Sequence, residues 1–140
     1  MQTRASTLIM RPADVVFGFI AETANDRRWQ SYLTASRGRA TAPGDRIFQT
    51  YSYQGKSKTV ELEVAEYQPP ERLTYAIREP ARARISFQCR PEGGGTRVSM
   101  SMSATVSGPA ALFGGRIQSE ADKLVRANLE RLKRALESVE

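Results

Sequence analysis

Strict alternation of apolar and polar side chains runs through residues 97–106, which read RVSMSMSATV. One side carries valine, methionine and alanine, and the other carries arginine, serine and threonine. A period of two is what a β-strand requires when one face is dry and the other meets solvent. Met100 and Met102 lie on the dry face, where a tightly packed sheet more usually holds valine or isoleucine. The segment therefore predicts a strand that faces either a solid core or a more adaptable space.

Other segments alternate in a similar way and predict an antiparallel meander. Residues 46–53, 58–67, 71–77 and 84–89 form one series, and residues 3–10 alternate loosely as a first strand. The glycines in QG and PEGGGT lie between neighbouring segments, where short hairpin turns need them. Sequential strands joined by such turns favour one antiparallel sheet.

Two short helices are expected between the first strand and the meander. The apolar residues of VVFGFIAE recur at helical spacing after Pro12, and a proline suits a helix start because its missing N–H is not needed there. Asn25 and Asp26 are capping residue types ahead of DRRWQSYL. They predict a second helix that contains Trp29.

A long amphipathic helix is expected at the end of the chain. Residues 110–138 would span about 43 Å as a helix. Gly114 and Gly115 would each cost about 1 kcal/mol inside it. They predict either a helix start kinked for packing or a hinge that lets residues 108–116 act as a lid.

This helix has one apolar arc when its residues are placed 100° apart. The arc consists of Ile117, Ala121, Leu124, Val125, Leu132, Ala135, Leu136 and Val139. Asn128 falls in its middle, and a buried amide without partners costs about 1–3 kcal/mol. Asn128 therefore either bonds protein groups or meets a wet cavity.

The amino-acid composition excludes several classes of catalytic, metal and disulfide sites. The chain has no histidine and one cysteine, which excludes histidine-based nucleophile systems, disulfides and four-cysteine zinc sites. No acidic cluster has the spacing of a calcium loop. We therefore expect no metal and no cofactor, assign no catalytic residue, and interpret Cys89 as a small buried hydrophobe. Any catalysis would depend on Asp, Glu, Tyr, Arg or Lys.

Charge and length set the remaining expectations. The net charge is +6, but the basic residues are spread from Arg4 to Arg134 without forming a run, so we do not expect nucleic acid as a partner. No segment resembles a signal peptide, and no apolar run approaches the ~20 residues of a membrane span. We expect a cytoplasmic monomer or homodimer with a single domain over residues 1–140.

Five motifs in order resemble the START-related helix-grip superfamily, often called SRPBCC, near its polyketide cyclase/dehydrase-like branch. They are RPADVVFGFIAE, the N-x-x-x-W spacing from Asn25 to Trp29, YQPPERLTY, GGGTRVSM and LERLKRALE. The resemblance implies an α+β fold in which a curved antiparallel sheet wraps around the long C-terminal helix and leaves an elongated apolar cavity. Relatives of this type include cyclases, lipid and sterol carriers and chaperone activators, so the fold by itself names no ligand.

We predict that a small lipophilic or aromatic molecule binds between this sheet and the helix. The predicted contacts are Trp29, Tyr51, Tyr53, Tyr75, Phe87, Met100, Met102, Leu124 and Asn128. Flexible thioethers suit an adaptable wall, and Gln49, Asn128 or a tyrosine hydroxyl would orient a polar group on the ligand. The plain alternative is that the methionines and Trp29 are ordinary core residues.

The register of residues 46–53 decides which side chains can take part. One register turns Ile47, Gln49 and the two tyrosines inward, and the other turns Phe48 and Thr50 inward. We favour the first.

Two other functions stay open. A polyketide cyclase or dehydratase could work through shape, water exclusion and tyrosine or arginine acids. One strongly perturbed titratable group beside the ligand would favour it. A basic interaction module that docks an acidic protein or a ribosome would instead need a contiguous basic face and a filled interior.

Overall fold

The molecule consists of one curved sheet, two helical segments after its first strand, and a long helix. The computed structural model describes residues 1–79, 81–105 and 114–138. The strands are β1 (Gln2–Ile9), β2 (Leu33–Arg37), β3 (Arg46–Tyr53), β4 (Lys56–Gln68), β5 (Arg72–Ile77), β6 (Ala83–Glu92) and β7 (Gly95–Ala104). The helices are α1 (Ala13–Ala21), a 3-10 helix (Thr23–Arg28) and α2 (Gly114–Glu137).

The seven strands form a single antiparallel sheet in the order β1-β7-β6-β5-β4-β3-β2. The first strand therefore lies beside the last, and β2 forms the opposite edge. Gln54 and Gly55 turn β3 into β4, and Gly93 and Gly94 turn β6 into β7, all with positive φ. Two residues with positive φ match the twist of the flanking strands. The predicted meander and the α+β helix-grip fold are confirmed.

The alternation in β7 has the predicted structural meaning. Val98 and Met100 are buried and lie opposite Cys89 and Phe87 of β6. Met102 is partly buried and packs against the same core. The serines between them lie on the other face of the sheet, since successive side chains of a strand alternate.

Burial of alternate residues establishes the register of β3. Ile47 and Gln49 are almost fully buried, and Tyr51 on the same face is partly buried. The favoured register is therefore confirmed for these three residues. Tyr53 follows them near the hairpin, where the strand extends past the core, and its side chain is 54% exposed.

The prediction of a helix over DRRWQSYL was wrong. The 3-10 helix ends at Arg28, and Trp29 follows it instead of lying within it. The Trp29 and Gln30 amides both donate to the Asp26 carbonyl, at 3.1 and 2.8 Å. Tyr32 then takes a left-handed φ of 66°, a conformation that ends a right-handed helix.

Helix α2 has 24 residues, a length of about 36 Å, and packs mainly along β1. The buried residues on it are Ala121, Val125, Asn128, Leu129, Leu132 and Leu136. Leu129 was missing from the predicted arc. The lid hypothesis rests on residues 108–113, which lie outside the described residues, as does Val139.

Hydrogen bonds hold α2 against the first strand at both ends. Gln118 bonds the backbone of Gln2, and Lys133 donates to the Leu8 carbonyl. The Arg11 guanidinium donates to the carbonyl of Leu136 at 2.9 Å, where the helix has unpaired carbonyls. These contacts fix the position of α2 over the concave face of the sheet.

Candidate ligand site in the sheet interior

A buried polar cluster lies between the 3-10 helix and the concave face of the sheet. The Gln49 Nε2 donates to Asp26 Oδ2 at 2.7 Å, and the Tyr51 hydroxyl donates to Gln49 Oε1 at 2.8 Å. Asp26 and Gln49 are only 2% and 1% exposed. An aspartate side chain is rarely buried to this degree in a folded protein unless it is paired.

The local backbone explains how these side chains meet. Gln49 and Tyr51 are two residues apart on β3, so their side chains project from the same face. The 3-10 helix presents Asp26 to that face. Ser36 on β2 adds its hydroxyl at 3.2 Å from Gln49 Nε2, and the Gln30 Oε1 lies 3.4 Å from the Tyr51 hydroxyl.

Among the described residues, three buried polar atoms in this region make no hydrogen bond of ordinary geometry. They are Asp26 Oδ1, Trp29 Nε1 and the Tyr75 hydroxyl oxygen. Leaving such a group unpaired costs about 1–3 kcal/mol. Buried polar atoms are nearly always satisfied by protein or water, so an unpaired group needs a specific explanation. Because the Trp29 indole acts on the Asp26 carboxyl, Asp26 Oδ1 and the Tyr75 hydroxyl are the acceptor and the donor left for a polar guest.

Burial dominates the electrostatics of the cluster. It raises the pKa of Asp26 to about 7, with a smaller contribution in the same direction from Glu22, while Gln49 and the Trp29 indole favour the ionised form. Burial, together with the charge of Asp26, also raises the pKa of Tyr51 and of Tyr75. Both hydroxyls therefore stay protonated and able to donate, and Asp26 can exchange a proton near neutral pH.

Aromatic side chains form the wall next to the polar cluster. The Trp29 and Phe87 ring centroids are 5.7 Å apart in an edge-on contact, and those of Tyr75 and Phe87 are 6.4 Å apart. Met100 lies opposite Phe87 across the β6–β7 ladder. The structure thus brings together four of the residues predicted to contact a ligand.

The apolar wall becomes less buried toward one end of the sheet. Ile85 lies opposite both Tyr75 and Met102, and Ile77, Ile85 and Met102 are partly buried. Leu124 of α2 is also partly buried. An open surface recess of about 840 Å³ lies at the ends of these strands; Ile77 lines it, but so do several charged side chains, including Arg78, Glu79 and Arg82.

Two of the predicted residues make contacts away from this cluster. The Asn128 Oδ1 accepts hydrogen bonds from the amide and hydroxyl of Ser31, both at 3.0 Å, so it ties α2 to the segment after the 3-10 helix. Tyr53 lies outside the interior and packs edge-on against Tyr32, with ring centroids 4.8 Å apart.

The sequence interpretation missed Asp26, Gln30 and Ser36 as members of the site. Asp26 was interpreted as a helix cap, and no local pattern distinguishes a capping aspartate from one that faces a core. Within the described residues, no group of three or more cysteine and acidic side chains is placed to hold a metal ion.

The family model described as polyketide cyclase / dehydrase and lipid transport matches residues 1–137. The chain belongs to this family. No curated protein matches the sequence.

Several solved structures have the same fold, and they differ in what they are described as. The structure of TTHA0849 from Thermus thermophilus is 22% identical, with a TM-score of 0.75 and coverage of 99% of this chain and 95% of that chain. The Aha1 dimer from Colwellia psychrerythraea is 14% identical, with a TM-score of 0.70 and coverage of 98% and 96%. The di-domain ARO/CYC protein BexL is 18% identical, with a TM-score of 0.76, and the chain covers 51% of it. At such identities the likeness shows the fold alone.

No helix in residues 1–79, 81–105 or 114–138 is long and apolar enough to cross a membrane.

Proposed function

We propose that this member of the polyketide cyclase/dehydrase and lipid-transport family binds a small lipophilic or aromatic molecule between the sheet and α2. The apolar body of the ligand contacts Phe87, Met100 and Met102, and its polar end meets Asp26 and Tyr75. The observation that carries the proposal is that Asp26 Oδ1 and the Tyr75 hydroxyl lie unpartnered within an aromatic interior.

Burial supplies most of the affinity in this proposal. Removing apolar surface from water contributes about 25 cal/mol per Å², and a methionine wall adapts to irregular apolar shapes. The few polar groups then set the orientation of the ligand.

A pair of tryptophan variants tests the proposal. Met102→Trp fills the apolar side of the site and should abolish binding of a lipophilic fluorescent dye while the far-UV circular dichroism stays unchanged. Ser101→Trp adds the same side chain one residue away, on the opposite face of β7, and should retain dye binding. Undiminished dye binding by a folded Met102→Trp variant would show that the ligand lies elsewhere.

A polyketide cyclase or dehydratase is the second candidate, and the Asp26 carboxyl favours it. A buried acid whose pKa is about 7 has the proton affinity that general acid–base catalysis uses at neutral pH. Mass spectrometry of a bound hydroxy ketone separates a carrier from a dehydratase. A carrier returns the compound unchanged, whereas a dehydratase returns it with one water lost.

The surface charges do not favour a basic docking module. Three arginines on or next to the sheet lie near glutamates: Arg46 near Glu61 at 3.3 Å, Arg78 near Glu63 at 3.5 Å and Arg84 near Glu66 at 3.9 Å. Positive charge there is interleaved with negative charge. We keep a cytoplasmic monomer or homodimer as the proposed state.

A further inference from the structure

The geometry points to Asp26 as the residue that selects the ligand: the site takes an uncharged hydroxyl, such as a phenol, and rejects a carboxylate. This inference rests on the proposed function, because it concerns the polar end of the same ligand. It follows from the charges and from the hydrogen-bonding capacity around Asp26.

Within the part of the chain that the structure describes, no cation is hydrogen-bonded to Asp26. The polar groups linked to it through hydrogen bonds are Gln49, Ser36, Tyr51 and Gln30, and all four are neutral.

The two arginines next to Asp26 in sequence lie at the surface. Arg27 and Arg28 are exposed, and the Arg28 guanidinium carbon lies 5.2 Å from the centroid of the Phe19 ring. An anionic ligand would therefore meet a buried carboxyl without a counter-charge, which disfavours both charged forms.

The unpaired atoms match a hydroxyl group. The Trp29 indole acts on Asp26 itself, so the atoms left for a ligand are Asp26 Oδ1, which can accept a hydrogen bond, and the Tyr75 hydroxyl, which can donate one. A ligand hydroxyl can both donate and accept, so it has the capacity to pair with both atoms. An ether at the same position only accepts and leaves the ionised Asp26 Oδ1 unpaired.

Competition between matched aromatic compounds tests the selection. A bound lipophilic dye is displaced at pH 8 by 2-naphthol, by 2-methoxynaphthalene or by 2-naphthoate. A hydrogen bond to a charged group contributes a factor of about ten or more to affinity. We expect naphthol to bind at least about tenfold more tightly than the methyl ether, and naphthoate to bind more weakly than both.

Two variants locate the effect. Asp26→Asn removes the charge, so the affinity for naphthoate should rise at least about tenfold relative to the affinity for naphthol. Tyr75→Phe removes one hydrogen-bond donor but keeps Asp26. Naphthol should therefore bind less tightly than it does to the wild type, while naphthoate remains the weakest ligand. The emission of Trp29, the single tryptophan of the chain, reports whether each variant is folded.

The outcomes separate the two proposals. If the dye does not bind the wild-type protein, the proposed function fails and the selection fails with it. If the dye binds and naphthoate displaces it as well as naphthol does, only the selection is wrong. If folded Asp26→Asn has the same ratio of naphthol to naphthoate affinity as the wild type, the selection is also wrong. If that variant does not fold, the ratio measured for the wild type decides whether the site selects naphthol.

Discussion

At the scale of single residues, the Asp26 carboxyl lies 2.7 Å from the Gln49 amide nitrogen and is 2% exposed. Its pKa is raised to about 7 in the folded protein, mainly by burial, whereas an unfolded aspartate has a pKa near 4. Between these values the folded state holds a proton that the unfolded state has lost. The free energy of unfolding should therefore fall as pH rises from about 4 to 7, by about 4 kcal/mol from this group.

Urea denaturation of the wild type and Asp26→Asn between pH 4 and pH 8 measures this effect. The variant should become more stable relative to the wild type as pH rises, because the amide does not ionise. Tyr75→Phe alters the same cluster without removing Asp26, so its difference from the wild type should show no comparable rise. A constant difference between the wild type and Asp26→Asn across this range would contradict the raised pKa.

The residues of the site differ in how far the sequence predicts them. Met100 and Gln49 follow from alternation, because a period of two depends only on neighbouring residues. Asp26 does not follow from it. Its burial depends on contact with Gln49, which lies 23 residues away in sequence, and on the 3-10 geometry that turns the side chain inward.

At the scale of elements, two glycines occupy opposite environments. A Cβ on Gly95 of β7 would lie 2.5 Å from the carbonyl oxygen of Ile9 in β1, whereas a Cβ on Gly18 of α1 would meet nothing within 4 Å. Gly95→Ala should destabilise the protein by about 1–3 kcal/mol, because the β1 backbone must move. Gly18→Ala should stabilise it by about 0.5–1 kcal/mol, because glycine is a poor helix former.

Thermal denaturation of the two variants measures this contrast. Both changes add one methyl group, so each serves as the control for the other. Equal shifts in melting temperature would contradict the close approach of β1 to Gly95.

Elements with a clear period were predicted well, and the 3-10 helix was not. The long strands and α2 repeat their apolar positions over many residues, so the period predicts whether each segment is a strand or a helix. The segment from Thr23 to Arg28 is too short for a period, and a left-handed Tyr32 gives no signal in the sequence because tyrosine rarely adopts that conformation.

At the scale of the whole molecule, the two ends of the chain close the fold. The first strand pairs with the last, and α2 packs along that first strand. The order of elements predicts the helix-grip layout, but it does not predict which strand α2 contacts most. That choice depends on long-range contacts such as the Arg11 bond to Leu136.

This closure predicts that the helix and the sheet unfold together. Leu132 of α2 is fully buried, so Leu132→Ala should cost about 2–5 kcal/mol through lost packing and a residual cavity. Far-UV circular dichroism follows α2, and emission follows Trp29, which lies against the sheet and the 3-10 helix. The two denaturation curves should coincide in the wild type and shift together in the variant, as in a two-state transition. Loss of helical signal at lower denaturant than loss of Trp29 burial would show instead that α2 separates from an intact sheet.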